Sequence, residues 1–357
     1  MERKNTRKIK IGNSFIGGDA PISIQSMTNT DTKNIDETVK QIDQLQKAGC
    51  DIVRVAIYDK ECALSITEIK KQINIPIVAD IHFDYRLALL SIENGIDKLR
   101  INPGNIGNIT KVKYLIASAK EHHIPIRIGV NAGSLKKEII QKHGGISTLG
   151  MIESAMEHIN ILEENNFDDI VLSIKASNVI QTLDCYRAVS EKINYPLHLG
   201  VTEAGLGYSG IVKSSIGIGC LLLDGIGDTL RVSLTGDPVD EISVAKDILN
   251  SIGIRKSGVD IISCPTCARC HLDLPLIVNR IKSQFADIHI PLKIAIMGCI
   301  VNGPGEAQEA DIGLAGGKES AVFFKKGKIL RNVTGDQIID EFVKEIKVVL
   351  NEKMDVV

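Results

Sequence analysis

The sequence predicts an α/β chain: a (β/α)8 TIM barrel over residues 1–256, followed by a small α+β domain over residues 257–357. Two observations carry the barrel. Eight short β-branched segments alternate with amphipathic ones, and within them every second residue tends to be polar or charged. A third observation marks the boundary. After Gly253 the alternation stops, and Cys264, Cys267, Cys270 and Cys299 crowd together ahead of a different pattern.

Barrel strands are expected at 22–27, 51–56, 75–80, 97–101, 126–131, 169–175, 197–202 and 229–234, with helices such as 36–48, 109–122 and 148–165 between them. Glycine ends several of these helices, as at Ala48-Gly49 and Asn94-Gly95. A doubly wound sheet would bury both strand faces and read as continuous apolar runs. Here a period of two separates Arg54, Asp80, Arg100, Arg127, Asn131, Lys175, His198, Arg231 and Ser233 from Val53, Val55, Leu99, Ile101, Ile128, Val130, Ile174, Leu199 and Val232. The apolar set faces a ring of helices, and the polar set points into the barrel near its C-terminal mouth. The second domain reads as a linker at Ser257-Gly258, strand 259–263, helix 272–285, strands 292–297 and 311–315, a hairpin within 320–333 and helix 336–350.

Composition removes several classes of function. Lys+Arg 42 nearly balance Asp+Glu 44, so the net charge of −2 gives no general pull toward nucleic acid or an anionic membrane. The longest apolar run, 216–223, is far below the ~18 residues of a membrane span. Residues 1–10 are basic, with no apolar stretch of signal-peptide length after them. They read as a solvated tail feeding the first strand, and a cytoplasmic location is expected.

Arg54, Arg100, Arg127, Lys175 and Arg231 come from five strands and share the inward parity. Like charges converging in a cavity need an anion, and a diphosphate is the natural one. Asp80 and Glu203 are the inward acids near strand ends, too few for five cations. His82, His198 and Glu203 stand where a barrel presents reactive groups. Two loops, 102–107 and 202–205, follow strands directly and offer backbone N–H donors.

The cysteine cluster reads Cys264-Pro265-Thr266-Cys267-Ala268-Arg269-Cys270, followed by Met297-Gly298-Cys299-Ile300-Val301-Asn302-Gly303-Pro304-Gly305-Glu306. A C-x2-C pair with a distant third cysteine suits a soft metal or an iron–sulfur cluster held by thiolates, whereas a zinc ribbon would want a second C-x2-C. By spacing alone Cys270 could be a fourth ligand, although its side chain is expected on a helix beginning near Arg269.

Cys-Pro-Thr-Cys, Met-Gly-Cys-Ile-Val-Asn-Gly-Pro-Gly-Glu-Ala, Arg-Ile-Asn-Pro-Gly-Asn-Ile-Gly, Arg-Ile-Gly-Val-Asn-Ala-Gly-Ser-Leu and His-Leu-Gly-Val-Thr-Glu-Ala-Gly occur in that set across the whole chain. Together they resemble the bacterial 4-hydroxy-3-methylbut-2-enyl diphosphate synthases of the non-mevalonate isoprenoid pathway. The resemblance implies reductive ring opening of 2-C-methyl-D-erythritol 2,4-cyclodiphosphate, with reduced flavodoxin or ferredoxin as donor. It implies a [4Fe–4S] cluster held by Cys264, Cys267, Cys299 and Glu306, the carboxylate being more labile than the thiolates. Arg54, Arg100, Arg127, Asn131, Lys175, His198, Arg231 and Ser233 resemble the family's substrate contacts, and Glu203 its acidic residue beside the reacting hydroxyl. Cys270 departs from the family pattern, which has no cysteine there. The linker near Ser257 follows a barrel helix and starts at the face opposite the mouth. The family's arrangement is a homodimer in which each cluster domain caps the partner's barrel.

Overall fold

The computed structural model describes residues 2–106, 109–256, 258–286, 288, 290–301, 303–318, 320–335 and 337–355. The linker residue Ser257, Gly107 of the first loop, Asn302 of the cysteine motif and the expected helix start at Asp336 lie outside the described residues. The chain divides into two units, Met1–Ile252 and Gly253–Val357.

The first unit begins with an antiparallel hairpin, β1 (Ile9–Ile11) and β2 (Ser14–Ile16), whose first two residues fall in the stretch 1–10 expected as a solvated tail. Ile9, Ile11 and Ile16 are buried in a cluster with Ile52, Val78 and Val171. Those three share the parity of Arg54, Asp80 and Ser173, so the hairpin packs on inward-facing residues at the N-terminal end of the barrel. An open barrel end would expose them to water, and covering them is what orders the segment. Arg3 and Thr6 fix it further: the guanidinium donates to Asp228 Oδ1 at 3.0 Å and the hydroxyl donates to the same oxygen at 2.7 Å. Ile11→Asp should therefore lower unfolding free energy by ~4 kcal/mol in urea titration, since it puts a carboxylate into a closed apolar cluster.

The eight barrel strands follow: β3 (Ser23–Met27), β4 (Ile52–Ala56), β5 (Ile77–Asp80), β6 (Lys98–Ile101), β7 (Ile126–Asn131), β8 (Ile170–Lys175), β9 (His198–Leu199) and β10 (Thr229–Leu230). They run parallel in the order β8-β7-β6-β5-β4-β3-β10-β9. A bridge between Leu172 and Leu197 joins β8 to the segment entering β9 and closes the circle. Val53, Val55, Leu99, Ile101, Ile128, Val130 and Ile174 lie in the large core between strands and helices, as their parity requires. β9 and β10 are each two residues long, shorter than expected. The chain leaves the regular ladder at Gly200, where a Cβ would stand 2.5 Å from Lys175 Nζ and 2.6 Å from the Arg231 carbonyl oxygen. Arg231 and Ser233 consequently lie just beyond β10 rather than within it.

In the second unit β11 (Val259–Ser263), β12 (Leu292–Met297) and β13 (Ile312–Gly316) are parallel, and β14 (Ser320–Lys325) and β15 (Lys328–Thr334) add an antiparallel hairpin. Helices Leu274–Gln284 and Ile338–Met354 contribute Ile277, Ile281, Phe342 and Ile346 to a core with Ile294, Ile296, Leu314 and Phe323. The first of these helices starts two residues later than expected. Asp273 caps it by accepting from the Leu276 N–H at 3.1 Å, and Pro275 occupies its first turn. No helix among the described residues is long and apolar enough to cross a membrane.

Candidate functional site

Inside the barrel the cations predicted from parity do converge. Asp80, 5% exposed, accepts from Arg100 Nη1 at 3.1 Å and lies 3.7 Å from Arg54 Nε. Burial alone would raise the Asp80 pKa, but Arg54, His82 and Arg100 outweigh it and hold the carboxyl far below the usual range. Arg231 makes a two-pronged contact with Glu241, both N–H···O distances being 3.1 Å. Glu241 also accepts from Ser26 Oγ at 2.9 Å. Arg54 turns its Nε and Nη2 onto Met27 Sδ, and burial draws its pKa down to about 10.

The deeper groups are less well balanced. Arg127 is 1% exposed and donates to Gln25 Oε1 at 3.3 Å, while its Nε has no partner among the described residues. Lys175 has no carboxylate partner among the described residues. Burial first, then Arg127, Arg231, Arg54 and Arg100, depress its pKa well below the ordinary lysine value. His198 is fully buried and shares a hydrogen bond between Nδ1 and Thr229 Oγ1. Burial first, then Arg127, Lys175, Lys98 and Arg54, hold its pKa well below the ordinary histidine value. Gly129 lets Arg100 cross the interior, because a Cβ there would stand 2.7 Å from the guanidinium Nε.

At the mouth the expected groups are more open. Asn131 ends β7 and its backbone N–H donates to Ser134 Oγ at 3.2 Å. Ser233 is half-buried, and Glu203 is exposed on the loop after β9. Glu203 was expected as an inward acid from its place near a strand end, and it is exposed instead. Its backbone adopts φ +52, a left-handed conformation that costs a non-glycine residue about 1 kcal/mol. His82 is exposed, with Nε2 3.5 Å from Asp80 Oδ2. Asn102 Oδ1 accepts from the Gly104 N–H at 3.1 Å and so caps a single 3-10 turn at Pro103–Asn105.

Four interior residues escaped the sequence reading. Gln25, Met27 and Lys98 carry the inward parity and were legible by the same rule that found Arg54. Glu241 sits on helix Pro238–Ser251, and strand parity does not report a helix side chain that reaches a strand cation.

In the second unit a cavity of about 230 Å³ is lined by Cys264, Pro265, Cys267, Arg269, Met297, Cys299, Gly303 and Glu306. Cys264 and Cys267 follow the end of β11, Cys299 follows β12, and Glu306 ends the short helix Gly303–Glu306. Cys264 Sγ accepts from the Gly298 N–H at 3.2 Å. The Arg269 backbone N–H, then its side chain and charge, lower the Cys267 thiol toward thiolate. Among the described residues no three His, Cys, Asp or Glu side chains close on a single metal ion. Three thiols and a carboxylate around one cavity fit a cluster instead, because a cluster takes each ligand at a different metal atom. Cys270 lies in a turn rather than on a helix, correcting the expectation. Its Sγ donates to the Leu272 carbonyl at 3.1 Å, and it does not line the cavity.

A family model described as the GcpE TIM-barrel domain matches residues 6–246, and one described as the GcpE protein C-terminal domain matches residues 260–348. A protein of Caldanaerobacter subterraneus subsp. tengcongensis named 4-hydroxy-3-methylbut-2-en-1-yl diphosphate synthase (flavodoxin) is 57% identical over 351 residues, 98% of this chain and 99% of the relative. A protein of the same name from Clostridium perfringens is 56% identical over 349 residues, 98% of this chain and 100% of the relative. Among solved structures, dihydropteroate synthase of Yersinia pestis superposes with a TM-score of 0.50 at 8% identity, over 69% of this chain and 98% of that one. That last likeness is one of fold alone.

Proposed function

Since the chain belongs to the GcpE family of 4-hydroxy-3-methylbut-2-en-1-yl diphosphate synthases, we propose that its chemistry is shared between a diphosphate site inside the barrel and a [4Fe–4S] site in the C-terminal unit. The enzyme is an oxidoreductase of the non-mevalonate pathway. It opens 2-C-methyl-D-erythritol 2,4-cyclodiphosphate with two electrons from flavodoxin, releasing 4-hydroxy-3-methylbut-2-enyl diphosphate and water.

One observation carries the substrate site: Arg54, Lys98, Arg100, Arg127, Lys175 and Arg231 share the barrel interior, where among the described residues Asp80 and Glu241 are the carboxylates that pair with them. Such an excess of positive charge is costly until an anion arrives. Arg54, Arg100, Arg127, Lys175 and Arg231 bind the diphosphate and stabilise the negative charge that builds on it as the ring C–O bond breaks. Asp80 and Glu241 hold three of the guanidiniums in place beforehand. Asn131, His198 and Ser233 orient the carbon skeleton by hydrogen bonds. Glu203 hydrogen-bonds or protonates the hydroxyl that departs as water.

Cys264, Cys267, Cys299 and Glu306 are the residues that would hold the cluster. When bound, the cluster supplies the electrons one at a time. Gly298 supports the assignment, since an N–H donated to Cys264 sulfur stabilises a thiolate ligand. Anaerobic turnover of the cyclic diphosphate with reduced flavodoxin tests the reading as a whole, and a colourless, inactive zinc protein would overturn it.

The working form we propose is a homodimer, in which one chain's cluster unit completes its partner's barrel. Mixing inactive Cys264→Ala and Glu203→Ala chains should then restore up to about a quarter of the wild-type activity, because one of the two sites in each heterodimer has both intact halves. Absence of recovery after demonstrated subunit exchange would place each site within one chain.

A further inference from the structure

We propose that Lys98 is a further substrate-positioning residue, forming the floor of the anion site beneath Arg100. The proposal rests on the diphosphate reading of the barrel.

Lys98 and Arg100 are alternate residues of β6, so both side chains leave the same strand face, with Lys98 ~7 Å nearer the plugged end. Its neighbour across the ladder is Val78, a member of the apolar cluster that receives the N-terminal hairpin. Lys98 is fully buried, and its Nζ has no hydrogen-bond partner among the described residues. A long amine placed above an apolar floor without a partner costs stability, and methionine would fill the same space without that cost. The fold therefore gives no reason for an amine here.

Three further buried atoms of the same interior are also without partners among the described residues: Gln25 Nε2, Arg127 Nε and His198 Nε2. Unsatisfied nitrogens thus reach this depth from β3, β6, β7 and β9. Buried polar atoms are nearly always paired, so four together on inward-facing residues call for an acceptor-rich group between them. The inner oxygens of a bound diphosphate are acceptors of that kind. The charged and titratable groups that share this interior with Lys98 among the described residues are Arg54, Asp80, Arg100, Arg127, Lys175, His198 and Arg231. Burial first, then Arg127 and Arg54, lower the Lys98 pKa well below its ordinary value. An arriving diphosphate opposes both causes and favours the ammonium form of Nζ.

The test is titration calorimetry of anaerobically prepared holoenzyme with 2-C-methyl-D-erythritol 2,4-cyclodiphosphate, in two buffers of different ionisation heat. Lys98→Met should bind ~10-fold or more weakly and take up fewer protons per substrate than wild type, with iron content unchanged. Its melting temperature without substrate should equal or exceed that of wild type, which a residue serving only the fold would not allow. Lys98→Gln, which keeps a donor but cannot be charged, is the second variant should the methionine protein not fold. Arg100→Ala in the same assay separates the two levels of the argument. If Arg100→Ala weakens binding while both Lys98 variants match wild type in affinity and proton uptake, the role of Lys98 is overturned and the diphosphate site stands. If Arg100→Ala also binds normally, the diphosphate reading itself fails.

Discussion

Lys175→Ala is expected to lower kcat/KM for the cyclic diphosphate ~100-fold or more while leaving thermal stability equal to or above that of wild type. The reasoning turns on what the side chain lacks. Arg100 and Arg231 are tied to Asp80 and Glu241, so removing either one strands a buried carboxylate and confounds binding with stability. Lys175 has no carboxylate partner among the described residues and is depressed in pKa by burial and four arginines. Removing it relieves repulsion in the free protein and loses attraction only when an anion is present. Steady-state kinetics beside a melting curve checks both halves. Unchanged kinetics would exclude Lys175 from the site, and a large fall in melting temperature would make it a structural residue.

Glu306→Ala is expected to lose activity by ~100-fold or more and to bind iron less firmly, whereas Cys270→Ser keeps both cluster and turnover. Spacing alone could not separate these two residues, since Cys270 stands three positions after Cys267. The fold separates them. Cys270 Sγ packs against the backbone at Gly298, where a Cβ would lie 2.5 Å from the sulfur, and spends its hydrogen on the Leu272 carbonyl. Glu306 lines the cavity that Cys264, Cys267 and Cys299 also line. A carboxylate holds iron less firmly than a thiolate, so the oxygen ligand is the replaceable one. Iron and sulfide analysis of the two variants, alongside turnover, decides the matter. Loss of the cluster in Cys270→Ser with normal turnover in Glu306→Ala would reverse the assignment.

The sequence by itself determined the barrel, the number of its strands and the direction in which most of their side chains point. Those properties are local: a strand's period of two is written in consecutive residues, and Arg54, Arg100, Arg127 and Lys175 could be read off it one strand at a time. The cysteine spacing was legible for the same reason, whereas the stretch before Glu306 folds as the short helix Gly303–Glu306. Tertiary structure decided whatever depends on a neighbour distant in sequence. The hairpin of Ile9–Ile11 and Ser14–Ile16 has strands of three residues, too short to show a period, and is ordered by Ile52, Val78 and Val171 from three other strands. Glu241 becomes the partner of Arg231 because its helix packs beside β3 and brings a carboxylate to the strand from outside the parity rule. The inward parity of Lys98 is written in the sequence, but its full burial without a partner among the described residues appears only once the barrel closes. Charge and period are carried by the chain, whereas burial and pairing are properties of the space between elements, and only the folded barrel defines that space.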